Sequence, residues 1–364
     1  MRSPSYFYTN KNSSFYKILK FPGTWICLTI LFYYYWTYKK VDLLRIPYPP
    51  ASLSFNTSER YLSSNLASFC QLGNHIFEFA ALYGLAKRLQ RIPLFFIENG
   101  HHKKMLERTR KVIPGLVDKF LVVKGSIPST IPRTDFQEKC CTYQDPEILE
   151  NNQNEYLHLT GWLYQSWKYF PDTRDTFIDF IADPIFSKFG NLPRSDENTH
   201  VTCVHTRRGD FVEYNFYTSD PVFIRNALTF IDRKDEANDF RIHRKTVIFG
   251  DDEHFMSGIF DDAVLSNEQF LQSSHYISQN SPADDLIYSK FHCDTVLISA
   301  PRSTFGYWMG YFSRGDKVYY LDTKYASDYV IESGNFTAND FFLPHWTPLK
   351  FESAESQTVV ESFK

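Results

Sequence analysis

Residues 201–210 read VTCVHTRRGD, an apolar run that ends in two adjacent arginines. The run has the length and composition of a buried strand, and three similar runs follow it along the chain with helical patterns between them. The predicted strands are Val201–His205, Lys245–Phe249, Thr295–Ser299 and Lys317–Leu321, and the predicted helices are Pro221–Arg233, Ala283–Phe291 and Ser303–Phe312. This alternation predicts a parallel, doubly wound sheet of the α/β class.

A second unit of the same class is predicted nearer the N-terminus. Apolar residues recur at intervals of three and four from Gly73 to Leu89, which predicts a helix that begins at a glycine turn. Residues Ile92–Ile97 then read as a buried strand, whereas residues 100–155 show no clear period. About 320 residues remain beyond the N-terminal segment, and at roughly 100–200 residues per domain they predict two domains, 69–195 and 196–350, with a tail at 351–364.

The N-terminus predicts a membrane anchor. Residues 21–38 form an uncharged run of 18 residues between Lys20 and Lys39, close to the lower limit of about 17–25 residues for a spanning helix. Residues 1–20 hold four basic residues and no acidic one, so the positive-inside rule places them in the cytosol. We therefore expect a cytosolic tail (1–20), a transmembrane anchor (21–38), a stem (39–68) and a lumenal body. The alternative is a cleaved signal peptide or a buried segment, but the run ends in aromatic residues typical of a membrane interface.

Sequons and cysteines also give information on whether the body of the protein faces the lumen. The sequons at Asn56 and Asn335 agree with a lumenal body. Cys27 lies in the apolar run, and five cysteines lie outside it: Cys70, Cys140, Cys141, Cys203 and Cys293. Five is an odd number, so at least one thiol is free or pairs between chains. The sequence has no CxxC pair and no Cys/His zinc spacing, so it predicts no structural metal site.

The composition excludes several classes of protein. With 43% apolar and 22% charged residues, the chain is neither disordered nor a polytopic membrane protein. Its 39 Lys and Arg against 42 Asp and Glu give a net charge of -3. Because nucleic-acid binding depends largely on neutralising phosphates, this balance predicts no nucleic-acid partner.

Candidate site residues follow the predicted strands, because doubly wound sheets bind ligands at the carboxyl ends of their strands. Arg207 and Arg208 follow the first strand, and guanidinium forks suit the oxygens of a diphosphate. The alternative is a solvated turn in which an arginine pairs with Asp210. Asp251 and Asp252 follow the second strand, where carboxylates can accept from a ribose or a purine, bind a divalent metal, or cap a helix.

The third strand is followed by a predicted helix start. Ser303 or Thr304 is expected to cap the helix, so that backbone N–H groups through Phe305 face the strand ends and form a phosphate site. Together, the residues that follow these three predicted strands suit a nucleoside diphosphate. The chain contains no Walker sequence, no GxGxxG and no Asp-x-Asp, which disfavours kinase-like proteins, NAD enzymes and metal-dependent sugar transferases.

These residues resemble the α-1,2-fucosyltransferases of glycosyltransferase family 11. Residues 205–210 (HTRRGD) are similar to the family's His-x-Arg-Arg-Gly-Asp signature, and residues 249–252 are similar to its second motif. Asp285 and Leu286, together with residues 303–308, resemble the third motif. Residues 73–83 resemble the N-terminal block, which usually has Gln where His75 stands, and residues 161–170 resemble a Gly-Tyr/Phe-x-Gln-Ser block.

The resemblance implies a GT-B-like fold of two Rossmann-like, doubly wound domains behind the N-terminal transmembrane helix. It also implies inverting transfer of L-fucose from GDP-fucose, with no cofactor and no metal. By the resemblance, Arg207 and the amides of Ser303–Phe305 stabilise the leaving phosphate, and Gly73 and Asn74 belong to the donor site. His205 and Asp285 are candidates for the guanine contact, Asp251 and Asp252 for orienting the nucleotide or the arginines, and Arg208 for holding the loop or the fucose.

Inversion calls for a base that receives the acceptor's proton, and the motifs offer Asp210, Glu213 and Glu78. The expected product is an α-1,2 link to a terminal galactose or similar sugar, made by a single-pass type II protein of the Golgi membrane. Alternatives are transfer to another position or to protein, and an inactive homologue that binds glycans, which the departure at His75 keeps open.

Overall fold

The computed structural model describes residues 59–363 apart from 138, 242 and 262–274. The described residues all belong to one compact unit, Phe55–Lys364. Within this unit the strands form two sheets, one from residues 61–159 and one from residues 199–361. Helices and loops follow each strand, so the α/β class predicted from the alternating pattern is confirmed.

The first sheet has five parallel strands in the order β3-β2-β1-β5-β4. Its strands are β1 (Tyr61–Ser64), β2 (Ile92–Ile97), β3 (Leu121–Lys124), β4 (Arg133–Thr134) and β5 (Tyr156–Leu159). Its helices are α1 (Leu72–Arg88), α2 (Gly100–Val112), α3 (Pro114–Val117), α4 (Glu147–Glu150) and α5 (Arg174–Phe180). The strand order reverses between β1 and β5, and such a switch point opens a crevice at the carboxyl ends of the two strands.

The second sheet has seven strands in the order β12-β11-β10-β9-β6-β7-β8, parallel except for β12. Its strands are β6 (Thr199–His205), β7 (His243–Phe249), β8 (His275–Ile277), β9 (Thr295–Ile298), β10 (Lys317–Leu321), β11 (Thr347–Phe351) and β12 (Val359–Glu361). Its helices are α6 (Gly209–Glu213), α7 (Pro221–Asn238), α8 (Glu253–Gly258), α9 (Pro282–His292), α10 (Thr304–Phe312), α11 (Tyr329–Glu332) and α12 (Ala338–Phe341). The switch point lies between β6 and β9.

Helices α1 and α10 join the two sheets. Gly73 lies against the first turn of α10, and the Trp308 indole N–H donates to the Gly73 carbonyl oxygen at 2.9 Å. One turn further along, the Phe77 ring packs on Tyr307 and Trp308 with centroid distances of 4.5 and 4.9 Å. These rings are buried, so the junction is a continuous apolar core. Because α1 follows β1 and α10 follows β9, the junction brings the two switch points together.

Two disulfides cross-link the described residues. Cys203 on β6 bonds to Cys293, which lies between α9 and β9, and this bridge fastens the two switch-point strands of the second sheet. Cys140 bonds to its neighbour Cys141. Cys70 remains as a free thiol, in agreement with the odd number of cysteines outside the apolar run.

Two predicted boundaries need correction. The stem was expected to extend through residue 68, but Tyr61–Ser64 form β1 at the centre of the first sheet, with all four residues buried. The tail at 351–364 contains β12, which pairs with β11. The remaining domain limits stay predictions. The anchor at 21–38 lies outside the described residues, among which no helix is both long and apolar enough to cross a membrane.

Candidate functional site

Buried hydrogen bonds join the carboxyl ends of β6 and β9. The His205 imidazole Nε2 lies 2.8 Å from the Ser303 hydroxyl, the N-cap of α10. The Ser299 hydroxyl lies 2.7 Å from both the His205 carbonyl oxygen and the Ser219 hydroxyl. Ser219 in turn accepts from the Arg207 backbone N–H at 2.8 Å. The arginine loop and the start of α10 are therefore fixed to each other at the switch point.

Two carboxylates hold the Arg207 side chain. Its Nη2 lies 2.7 Å from Asp210 Oδ1, and its Nη1 lies 3.0 Å from Asp251 Oδ2. The guanidinium also lies 5.5 Å from the centroid of the Phe211 ring. Arginine has five N–H donors in a rigid plane. A fork oriented by two carboxylates can present its other donors to an anion without losing its position.

Arg208 is held by the same acidic loop. Its backbone N–H donates to Asp251 Oδ1 at 2.9 Å, and its Nε lies 3.5 Å from Asp252 Oδ2. A Cβ on Gly209 would lie 2.5 Å from Asp251 Oδ2, so only glycine permits this close approach. Asp252 also caps α8 by accepting from the Phe255 N–H. Of the roles considered for these carboxylates, orienting the arginines and capping a helix have direct contacts.

The start of α10 offers backbone donors next to Gly73. Ser303 caps the helix by accepting from the Gly306 N–H at 3.4 Å. A Cβ on Gly73 would lie 2.6 Å from both the Phe305 backbone N and Thr304 Oγ1. The Cβ position is therefore closed to a side chain, and Gly73 packs directly against the first turn of α10. A helix N-terminus favours negative charge, and this one can receive a phosphate oxygen.

Asn74 and Asp285 complete the set of predicted donor-site residues. The Asn74 side-chain oxygen accepts from Gln165 Nε2 at 2.8 Å, which ties α1 to the loop after β5. Asp285 lies in the first turn of α9 and accepts from the Ser278 hydroxyl, just beyond β8. Burial raises the pKa of Asp285 to about 7. At about 4.8 Å per strand, the end of β8 lies roughly 10 Å from that of β6.

The surroundings of His205 and Glu213 differ from those expected for a guanine contact and a catalytic base. His205 is 2% exposed, its Nε2 is engaged with Ser303, and its ring packs against Phe305 at a centroid distance of 5.6 Å. Burial lowers the pKa of His205 to about 3, so the ring is neutral near pH 7. In the described structure the His205 ring supports the N-cap of α10, and its contact with guanine stays a prediction. Glu213 is exposed at the end of α6, and no hydrogen bond or ion pair links it to the arginines in the described part of the chain.

Sequence reasoning missed a buried ion pair beside the arginine loop. Arg302 Nε donates to Asp328 Oδ2 at 2.8 Å, and the Arg302 guanidinium lies 4.2 Å from the centroid of the Phe216 ring. Asp328 also accepts from the Tyr217 N–H at 3.2 Å, so it ties the loop after α6 to the loop after β10. Arg302 could have been found because it lies three residues after the predicted strand Thr295–Ser299. Asp328 lies in a loop without a motif, and only the tertiary structure reveals the pair.

Glu78 joins the two switch-point loops of the first sheet. Its carboxylate accepts from the Ala67 N–H at 3.0 and 3.1 Å and from the Leu163 N–H at 3.0 Å. The side chain is fully buried, and burial raises the pKa of Glu78 to about 7. A carboxylate enclosed by these loops does not reach an acceptor hydroxyl, so the structure argues against Glu78 as the catalytic base.

The raised pKa of Glu78 predicts a pH-dependent difference between the wild type and Glu78→Gln. The unfolded pKa is near 4.5, so the contribution of Glu78 to stability is complete below pH 4.5 and is lost as the pH rises through about 7. A shift from 4.5 to about 7 corresponds to roughly 3 kcal/mol. Between pH 5 and 8, Glu78→Gln should therefore gain up to about 3 kcal/mol in unfolding free energy relative to the wild type.

Urea titrations at a series of pH values measure this difference. Buried histidines titrate in the opposite sense, so the comparison is between the two proteins at each pH. Glu147→Gln, at an exposed glutamate, should show no such trend. A pH-independent difference for Glu78→Gln would mean that Glu78 stays charged in the folded protein.

In the described part of the chain, no three His, Cys, Asp or Glu side chains cluster as they would around a metal ion.

Comparison with known proteins identifies relatives over most of the chain. Residues 31–350 match the profile of Glycosyl transferase family 11. The Caenorhabditis elegans protein svh-11, provisionally named a galactoside 2-alpha-L-fucosyltransferase, is 56% identical over 98% of each chain. C06E1.7 of the same organism, provisionally named a glycosyltransferase, is 38% identical over 88% of this chain and 87% of its own. A third Caenorhabditis elegans protein, named a galactoside 2-alpha-L-fucosyltransferase, is 31% identical over 77% of this chain and 74% of its own.

Proposed function

This chain belongs to glycosyltransferase family 11, and from that premise we propose that it transfers L-fucose from GDP-fucose to a hydroxyl of a glycan, with inversion at the fucose C1. The acceptor position we propose is O2 of a terminal galactose or a similar sugar. The names of the relatives, galactoside 2-alpha-L-fucosyltransferases, support this linkage.

One observation carries the proposal for the donor site. The buried hydrogen bonds from Arg207 through Ser219, Ser299 and His205 to Ser303 hold a guanidinium fork and a helix N-terminus at one switch point. A diphosphate is the ligand that uses both, because its oxygens accept from the fork and from backbone amides. We assign the guanine contact to Asp285, in the first turn of α9, because a carboxylate can accept from the purine N–H groups.

Transfer breaks the bond between the fucose C1 and the β-phosphate oxygen, and the electron pair stays on that oxygen. Arg207 and the first amides of α10 would stabilise this charge, and donors already in place cost no reorganisation during the reaction. The acceptor oxygen attacks C1 from the opposite face and loses its proton. That proton passes to a carboxylate base, and the first candidate is Asp210, which is paired with Arg207 and has a side chain 36% exposed. Glu213 remains the second candidate.

Activity is expected to survive chelation. In the proposed mechanism, Arg207 and the helix N-terminus supply the positive charge at the leaving phosphate, the task that a metal performs in other transferases. We expect the turnover number in excess EDTA to equal that in buffer, and added Mn²⁺ to leave it unchanged. Loss of turnover in EDTA with recovery on Mn²⁺ would falsify the metal-independent mechanism.

The decisive test of function is incubation of the purified full-length protein with GDP-fucose and a glycan array, followed by linkage analysis of the products. An α-1,2-fucosylated galactoside supports the proposal. A different linkage or a fucosylated protein supports the alternatives within the enzyme class. GDP-fucose binding without turnover favours the inactive homologue, the alternative that the departure at His75 keeps open.

We also propose a Golgi membrane location with a lumenal body, which predicts glycosylation at Asn335. This residue is exposed and follows Gly334, which has a φ of +73°. Protein expressed in animal cells should lose one endoglycosidase-sensitive glycan in Asn335→Gln, whereas Asn339→Gln, outside any sequon, should keep it. Identical gel mobility of the wild type and Asn335→Gln would contradict the prediction. Asn56, the second sequon of the expected lumenal part, lies outside the described residues.

A further inference from the structure

The two loops at the switch point of the first sheet are rigidly joined. They are residues 65–71 after β1 and residues 160–166 after β5. The Asn65 side-chain amide donates to the Thr160 carbonyl oxygen at 2.8 Å, and Glu78 bonds a backbone N–H from each loop. The Tyr164 hydroxyl, which is fully buried, bonds the Ser64 hydroxyl.

Within the second loop, every neighbour of Trp162 is held in place. A Cβ on Gly161 would lie 2.0 Å from the Phe136 carbonyl oxygen, so the backbone packs there without space for a side chain. Leu163 has a φ of +55°, a conformation unfavourable for a branched residue, and its N–H is bonded to Glu78. Trp162 nevertheless points outward, with 39% of its surface exposed. The loop therefore holds the Trp162 indole in a fixed position at the protein surface.

Phe69 is presented in the same way by the first loop. It lies in a turn closed by a hydrogen bond from the Cys70 N–H to the Ala67 carbonyl oxygen at 2.9 Å, and 67% of its surface is exposed. Its ring lies 6.1 Å from that of Trp162, tilted by 50°. We name Phe69 and Trp162 the aromatic pair. Single exposed apolar residues are common, but two adjacent aromatic rings on anchored loops form a preorganised apolar surface.

The aromatic pair lies close to the proposed donor site. Phe69 precedes Gly73 by four residues, and Gly73 touches the first turn of α10. At about 3.3–3.6 Å per residue, the chain places Phe69 within roughly 14 Å of that turn. Trp162 precedes Gln165 by three residues, and Gln165 is bonded to Asn74 in the first turn of α1. An acceptor sugar beside the donor therefore falls within reach of both rings.

We propose that the aromatic pair is a binding site for a pyranose ring of the acceptor glycan. This inference rests on the proposed function, because it assigns the acceptor side of that same reaction. The C–H groups on one face of a pyranose carry slight positive charge, and the face of an aromatic ring is negative, so the two faces stack. The spacing of the two rings is comparable to the width of one sugar ring. The aromatic pair thus contributes affinity for the acceptor and none for the nucleotide.

The test compares Trp162→Ala and Phe69→Ala with the wild type, using full-length protein and N-acetyllactosamine as the acceptor probe. Each variant should raise the KM for the probe at least tenfold, while the KM for GDP-fucose and the thermal midpoint stay unchanged. Trp162→Tyr should recover most of the affinity because it restores a ring. Phe240→Ala serves as the matched control. Phe240 is a fully exposed aromatic residue just before the amino end of β7, whereas the proposed donor site lies at the carboxyl ends of the strands.

A second measurement separates this inference from the proposed function. Binding of the GDP-loaded protein to a glycan array is measured for the wild type and both alanine variants. If the wild type binds β-galactosides without transferring fucose and the variants bind at least tenfold more weakly, the function fails and the aromatic pair stands. If the variants keep the wild-type KM and binding, the inference is overturned. The inference is also overturned if the wild type binds no glycan.

Discussion

Arg207→Lys is expected to lower kcat/KM for GDP-fucose by at least about 30-fold, or about 2 kcal/mol of transition-state stabilisation. Lysine keeps the charge, but it has no planar fork. Its single nitrogen does not reproduce the two separate nitrogens with which Arg207 contacts Asp210 and Asp251. Weaker GDP binding should accompany the loss. Steady-state kinetics and calorimetric titration with GDP measure these two consequences, and the thermal midpoint of the same preparation shows whether stability has changed.

Arg110→Lys provides the matched control. Arg110 pairs with Asp118 at the surface, with side chains 38% and 60% exposed. An exposed pair of this kind contributes about 1 kcal/mol or less, so this variant should keep its activity and nearly its full stability. If Arg207→Lys behaves like this control, Arg207 is a surface ion pair and the proposed phosphate contact is wrong.

Gly73→Ala is expected to damage both stability and activity. The new Cβ would lie 2.6 Å from the Phe305 backbone N and 2.7 Å from the Thr304 carbonyl carbon, so backbone must move. Overpacking of this kind costs about 1–3 kcal/mol, offset by up to about 1 kcal/mol because alanine favours helix more than glycine does. A shift of about 1 Å between α1 and α10 would also displace the proposed phosphate site, for which we expect about a 100-fold loss in kcat/KM.

Gly100→Ala is the control for this variant. Gly100 also lies in the first turn of a helix, but nothing lies within 4 Å of its Cβ position. Alanine there should be neutral or slightly stabilising. Wild-type kinetics and an unchanged thermal midpoint for Gly73→Ala would show that α1 and α10 can separate without consequence, which the buried junction argues against.

Much of the second sheet was predictable because its strands are long, apolar and separated by periodic helices. Lys317–Leu321 in the second sheet matches its predicted strand residue for residue, as does Ile92–Ile97 in the first sheet. β1 was missed because four residues inside a Pro- and Ser-rich stretch carry too little pattern, and its central place depends on neighbours distant in sequence. The region from 113 to 155 resisted interpretation because its elements, β3, β4, α3 and α4, have only two to four residues each.

The sequence indicated which residue types lie at the candidate site, but it did not indicate which way each side chain points. A strand end indicates that a side chain lies at the crevice, yet it does not say whether the side chain faces the ligand or the core. His205 faces the core, whereas Arg207, two residues later, faces its carboxylate partners. Glu78 read as a possible base because carboxylates often serve that role. Its actual partners are amides of two loops that only the folded sheet brings together.

The junction of α1 and α10 also restricts hinge motion between the two sheets. A cleft between two sheets often works by hinge bending, which requires the two halves to part along a weakly packed surface. Here the halves share a buried aromatic core, and Asp340 adds an ion pair with Lys168 at 2.6 Å. Opening along this line would expose those rings to water. We therefore expect the proposed donor site to be formed before GDP-fucose binds, with substrates entering and leaving past the flanking loops.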